Sequence, residues 1–191
     1  FLGIVVAQDS MSRFATQIDL SGIQGDVWYQ LLVLAGIGFV MTVVLQSSSA
    51  AVVITLTALQ TGTIAFDQAA ALVIGQNVGT TLKALLAAAG ASTAAKQPSL
   101  VHILFNVITA MVAFLLLPLL IKLVWLMGDI LQLSGDEATL LALFHTVFNL
   151  VGMFIFIPLI RPVAALLQRV IPEKGNHLIR YLDDSVAEVM P

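Results

Sequence analysis

VWYQLLVLAGIGFVMTVVLQSSSAAVVITLTAL, residues Val27 to Leu59, is apolar along most of its length, and its one run of consecutive polar side chains is Gln46-Ser47-Ser48-Ser49. As a single helix it would be about 50 Å long, against a hydrocarbon core of about 30 Å. It must therefore break, and the four polar residues mark the place. Serine competes with the backbone for hydrogen bonds and favours helix N-caps over interiors. We expect one helix to end near Leu45 and a second to begin after Ser49. The first would offer free carbonyls, which suit a cation. The second would offer free N–H groups and a positive dipole end, which suit an anion. At membrane depth such a break is tolerated where it lines a cavity. The second piece, Ala50–Leu59, is about 15 Å long and too short to cross alone, so a re-entrant or discontinuous hairpin is expected.

The whole chain points to the same solvent. Hydrophobic residues make up 59% and charged residues 10%, and the mean hydropathy is +1.02, outside the range of a soluble domain. Long apolar runs recur without short alternating strands, so the fold class is all-α and polytopic in the membrane, not a β-barrel. There are no cysteines, which excludes disulfides and thiolate metal sites. A net charge of −3 with no basic run argues against a nucleic-acid partner. The chain opens at Phe1, and Phe1–Ala7 lacks the basic flank of a signal peptide. We expect a piece that begins part-way through a larger polypeptide.

Residues 1–26 mix apolar residues with Asp9, Arg13, Asp19 and Asp26 and are expected to form a connector. Val27–Leu45 follows, with Trp28 and Tyr29 where an aromatic belt would place them. Gln60–Thr63 and Asp67 form a polar turn. The run from Ala69 to Ala89 is interrupted by Gly75-Gln76-Asn77-Val78-Gly79-Thr80-Thr81; two glycines around polar residues suggest an unwound stretch, or else a glycine-lined helix crossing. Gly90–Pro98 reads as a loop with Lys96, and Leu100–Met127 as a span with a kink or end at Pro118. A loop over Gly128–Glu137 without Lys or Arg precedes a last span, Ala138–Ile160. Residues 161–191 form an amphipathic and charged tail. Arg161, Arg169, Lys174 and Arg180 cluster there, so the positive-inside rule puts the tail and Lys96 in the cytoplasm and Gly128–Glu137 outside.

One pattern repeats. His102-Ile-Leu-Phe-Asn106 and His145-Thr-Val-Phe-Asn149 each set His and Asn four apart on one helix face. Short loops make the two helices neighbours, and a pair of interhelical hydrogen bonds accounts for these residues better than a metal site, which would need further ligands.

Gln46-Ser-Ser-Ser-Ala50, Gly75-Gln-Asn-Val-Gly-Thr-Thr81 and the two His-x-x-Phe-Asn helices, in that order, resemble the type II sodium/phosphate cotransporter family. The resemblance covers roughly Val33 to Ile160, and the ordered set is far more specific than one Gln-Ser-Ser-Ser. The family's transport domain holds two repeats of opposite topology, each with a Gln-Ser-Ser-Ser motif. This chain holds one, and its Gly-Gln-Asn form is similar to the second repeat. The resemblance implies residues 27–160 as one half of an inverted-repeat transporter in the bacterial inner membrane. It implies import of inorganic phosphate with sodium as coupling ion and no other cofactor, and no enzymatic activity. Its partners would be the bilayer and a first repeat, with a homo-oligomer as a further option. By motif, Gln46, Ser47, Ser48, Ser49, Asn77, Thr80 and Thr81 would line the substrate and ion site, with sodium at Gln46, Ser47, Asn77 and Thr80. Lys83 stands where the family pattern would have a small hydroxyl or apolar residue. The segment Arg180-Tyr-Leu-Asp183 is similar to the stretch before a PhoU-like regulatory domain of bacterial members.

The chemistry of the motifs fits that implication. Hydroxyls and backbone N–H groups supply donors to phosphate without a buried cation, and a hard cation takes carbonyl, hydroxyl and amide oxygens. The plainer alternatives are serines that pack between helices, and a Lys83 that snorkels to the interface or acts as an intramembrane charge. Two other functions stay open at this level. An intramembrane hydrolase would use Ser48 or Ser49 with His102 or His145, although no Gly-x-Ser-x-Gly elbow is present. The other is a non-transporting membrane scaffold.

Overall fold

The computed structural model describes residues 27–90, 92–133 and 135–172. The expected connector over 1–26 and most of the charged tail lie outside these residues. Every regular element among them is helical: α1 (Trp28–Leu45), α2 (Ser48–Gln60), α3 (Phe66–Gly79), α4 (Thr81–Ala89), α5 (Thr93–Leu115), α6 (Leu117–Ile130), α7 (Glu137–Phe156) and α8 (Ile160–Val170), with a 3-10 turn at Ile157–Leu159. Among the described residues four stretches are long and apolar enough to cross a membrane: Trp28–Leu45, Phe66–Ala89, Ala95–Leu115 and Glu137–Val170. The chain is an all-α, multi-pass membrane protein.

The ends of these helices follow from local chemistry. α2 stops in a Schellman motif: Gly62 takes φ +69°, the Thr63 amide donates to Ala58 O at 2.9 Å and the Gly62 amide to Leu59 O at 3.0 Å. Gln132 plays the same part after α6, with φ 56° and Leu133 N donating to Gly128 O at 2.8 Å. Asp136 then caps α7, its carboxylate accepting from the Thr139 amide at 3.2 Å and hydroxyl at 2.5 Å. Pro118 sits in the first turn of α6, where a missing N–H costs nothing; the expected span Leu100–Met127 is thus two helices. The expected Gly90–Pro98 loop is mostly the start of α5, so Lys96 and Pro98 are helical.

α3 is the central helix. Its stretch is 56% buried, against 17–22% for the other spans, because Ala69 to Ile74 are apolar on every face. Phe66 opens it against Trp125 and Phe144, ring centroids 5.4 and 6.5 Å apart. Outward-facing Val40, Val44, Leu86, Leu119, Leu126 and Phe154 are exposed, as a lipid-facing surface requires.

α1 packs on α3 backbone to backbone. A Cβ on Gly75 would fall 1.7 Å from Ala35 O, and one on Gly38 2.1 Å from Leu72 O. The pairings Ala35–Gly75 and Thr42–Gly79 advance together, so the two helices run parallel. The unwound stretch expected at Gly75–Thr81 is therefore not there. α3 stays helical through Gly79, and the glycines serve as close-approach points of a helix crossing. Thr80 alone separates α3 from α4, with helical φ and ψ of −61° and −27°.

The His-x-x-Phe-Asn helices α5 and α7 are neighbours, with Phe105 edge-on to Phe156 at 5.3 Å and Thr109 filling the space over Gly152. Their asparagines do not bond across the interface. Asn106 Nδ2 donates to His102 O at 2.9 Å and Asn149 Nδ2 to His145 O at 2.8 Å. At a spacing of four, the nearest acceptor for each amide is its own helix's carbonyl.

Candidate functional site

The break falls where the four polar residues place it. Gln46 adopts the left-handed conformation, φ 51° and ψ 22°, which costs a non-glycine residue about 1–2 kcal/mol. Ser47 is extended and caps α2, its hydroxyl accepting from Ala50 N at 3.2 Å. α2 thus starts at Ser48 and not after Ser49, because the first serine of the three is the cap. Ser48 and Ser49 occupy its first turn, where amide N–H groups lack helical acceptors. Ser47 and Ser48 are half-buried; Gln46 and Ser49 are exposed.

The chain reverses at this point. α2 leads through the turn at 61–65 into α3, and Gln76 on α3 reaches back to the first half of α2. Its Nε2 donates to Thr55 Oγ1 at 2.7 Å and to Ala51 O at 3.2 Å. α1 and α2 therefore form a re-entrant hairpin against α3, with Gln46 and Ser47 at its tip. The tip lies level with Lys83, whose Nζ donates to Gln46 O. α4 runs six residues further to Ala89, so the tip stops about 9 Å short of the end of that span.

Asn77, Thr80 and Thr81 sit on the α3–α4 junction beside the tip. Thr80 Oγ1 donates to Asn77 O at 2.6 Å and Thr81 Oγ1 to Val78 O at 2.7 Å. Their protons are spent inside the helix, which leaves oxygen lone pairs to offer a cation. Asn77 Nδ2 is buried without a partner, as are Gln76 Oε1 and Thr42 Oγ1. Thr42 lies one turn before Gln46, against Gly79. Buried polar atoms are rarely left unpaired, and three of them gather near one helix break.

Two participants stand outside the set expected from sequence. Gln76 lies within the quoted motif beside Asn77, and Thr42 is four residues before Gln46 on the same helical face, a signal the sequence carries. The charge of Lys83 is visible in sequence, but its target is not. His145, one of the two histidines of the hydrolase reading, packs its ring against Phe148, centroids 5.3 Å apart. The apolar cleft of about 400 Å³ between α1, α3 and α5, lined by Leu32, Phe39, Ile74 and Phe114, carries none of the polar groups above.

Comparison with known proteins bears on the family of the chain. The family described as Na+/Pi-cotransporter matches residues 1–125. "Uncharacterized protein YqeW" of Bacillus subtilis is 36% identical over 147 residues, which is 77% of this chain and 45% of that protein. "Putative inorganic phosphate export protein YjbB" of Escherichia coli (strain K12) is 32% identical over 176 residues, 90% of this chain and 31% of that protein. The chain thus spans less than half the length of these relatives. No solved structure matches it significantly.

Proposed function

This chain belongs to the Na+/Pi-cotransporter family, and from that premise we propose that it supplies one half of the path by which a membrane transporter moves inorganic phosphate coupled to sodium. The observation that carries the reading is the re-entrant tip: a left-handed Gln46 and a serine-capped helix start held inside a span beside unpaired Gln76, Asn77 and Thr42 atoms. Broken helices of this kind are how many transporters present helix ends to substrate and ion.

In the proposed mechanism phosphate binds at the start of α2. The Ser48 and Ser49 hydroxyls and the free first-turn amides donate to its oxygens, and the helix dipole favours its charge. Sodium takes oxygens from Gln46, Ser47, Asn77 and Thr80. The ion neutralises part of the phosphate charge, so each favours binding of the other. A first repeat of opposite topology completes the cavity, and rocking of the two halves exposes it to either side. Net direction follows the gradients, so import and the export named for the Escherichia coli relative are two uses of one path. Gln97 Nε2 donates to Ile171 O at 3.0 Å, which sets Lys96 and the end of α8 on one side. With the positive-inside rule this supports a cytoplasmic C-terminal side.

The test is radiolabelled phosphate movement, in both directions, in proteoliposomes holding the full natural polypeptide, with sodium or potassium. Sodium-dependent transport lost in Ser48→Ala and Gln46→Ala is expected. Transport indifferent to sodium and to both substitutions would refute the site.

A further inference from the structure

We propose that the Lys83 ammonium is a tethered cation that stands in for one dissociable sodium at the carbonyl end of α1, so that this repeat couples phosphate to fewer sodium ions than the same site with a neutral residue there. The proposal rests on the phosphate-transport reading of the site.

A helix C-terminus carries orphan carbonyls and the negative end of the dipole, and it attracts cations. At the end of α1 the carbonyl of Gln46 accepts from Lys83 Nζ. Lys83 lies about 9 Å inside the end of α4, within reach of the interface by its stem. Its ammonium turns instead across to the break, which a snorkelling side chain would not do. The charge has no carboxylate counterpart at that end among the described residues. Asp67 stands 16 residues earlier in the α3–α4 span, about 24 Å along the axis. Asp129, Asp136 and Glu137 flank the turn after α6, on the side where Phe66 meets Trp125 and Phe144. The charge is therefore available to an anion.

An ammonium has three donors and no acceptor. With one donor on Gln46 O, the others are free for an oxyanion at Ser47–Ser49, immediately along the chain. It thus does both things asked of a coupling cation here: it satisfies the carbonyl end and offsets the substrate charge. Unlike sodium, it cannot leave.

The test measures initial phosphate transport against sodium concentration at constant ionic strength, in proteoliposomes of the full natural polypeptide. Wild type is compared with Lys83→Ala and with Lys83→Met, which keeps most of the stem without the charge; both variants are first confirmed as folded by circular dichroism. Transport in the variants is expected to survive at high sodium, with the apparent number of sodium ions per phosphate raised by about one, the charge removed. Methylammonium should substitute for that extra sodium in Lys83→Ala. Unchanged sodium dependence in both variants would overturn the proposal, as would loss of transport that no sodium concentration restores. A second arm needs no phosphate. Sodium should raise the melting temperature of Lys83→Ala more than that of wild type, and an equal effect on both would overturn the proposal. If wild type moves no phosphate, the site reading fails, while this second arm still decides the role of Lys83.

Discussion

Replacing Gly75 with alanine adds one methyl group at the place where α1 and α3 touch. Its Cβ would sit 1.7 Å from Ala35 O, whereas ordinary contact begins near 3.4 Å, so the helices would have to part by about 1.7 Å at that point; a gap of even 0.5–1 Å forfeits a quarter to a half of each dispersion contact. The obstacle is backbone, so no side-chain rotation relieves it. Overpacking of this kind costs about 1–3 kcal/mol, and the upper end applies to a backbone clash. Alanine returns about 1 kcal/mol of helix propensity, which leaves a net loss of about 2 kcal/mol. For a chain of this size that corresponds to a melting temperature lower by about 4–8 °C. Thermal melts in detergent followed by circular dichroism would read it. Gly36→Ala is the control, since its Cβ meets nothing within 4 Å; it should melt at or above wild type. If Gly75→Ala melts with Gly36→Ala, α1 does not cross α3 at Ala35, and the placement of the hairpin tip beside α4 goes with it.

Gln76→Leu keeps the bulk but removes the bonds to Thr55 Oγ1 and Ala51 O; interhelical bonds in membranes average about 0.6 kcal/mol each, so a loss of about 1 kcal/mol in chemical unfolding is expected, and a more stable variant would count against the α2–α3 tie. Gln46→Gly relieves the left-handed backbone, worth about 1–2 kcal/mol, so its melting temperature should rise while phosphate transport falls; a fall in both would mean the side chain holds the fold and not the substrate. Asp136 is held below the usual carboxylate range by the Thr139 hydroxyl and then the Thr139 amide. Its folded pKa is depressed, so its contribution is present above the unfolded value and is lost as pH falls through the folded one. Melts at pH 7 and pH 3 should show a smaller acid-induced drop in Asp136→Ala than in wild type, and equal drops would remove the cap from the account.

Length and polarity alone established that residues 27–59 must break and that the break falls within Gln46–Ser49, because a helix longer than the membrane is thick has to end inside it and a serine cap starts the next one; that the cap is Ser47, with Ser48 and Ser49 already helical, came from the structure. The apolar spans, the polar turn that begins at Gln60 and an interruption at Pro118 rest on equally local chemistry, although that proline opens a helix where a kink or an end was expected. The register between helices was not legible. Gly75 and Gly79 look the same in sequence whether they unwind a helix or let another approach it, and the difference was made by the Ala35 and Phe39 carbonyls 40 residues away. The asparagines of the repeated motif likewise had two acceptors available, and the nearer carbonyl on their own helix took the bond. Lys83 shows the same division. Its charge inside a span was visible at once, but its meaning depended on α1 lying parallel to α3, so that the open end of α1 meets the ammonium on α4. Hydrophobicity and capping act within a few residues of chain, and so they can be read along it; which end of which helix faces a given side chain depends on how backbones pack, and that is fixed only when the helices come together.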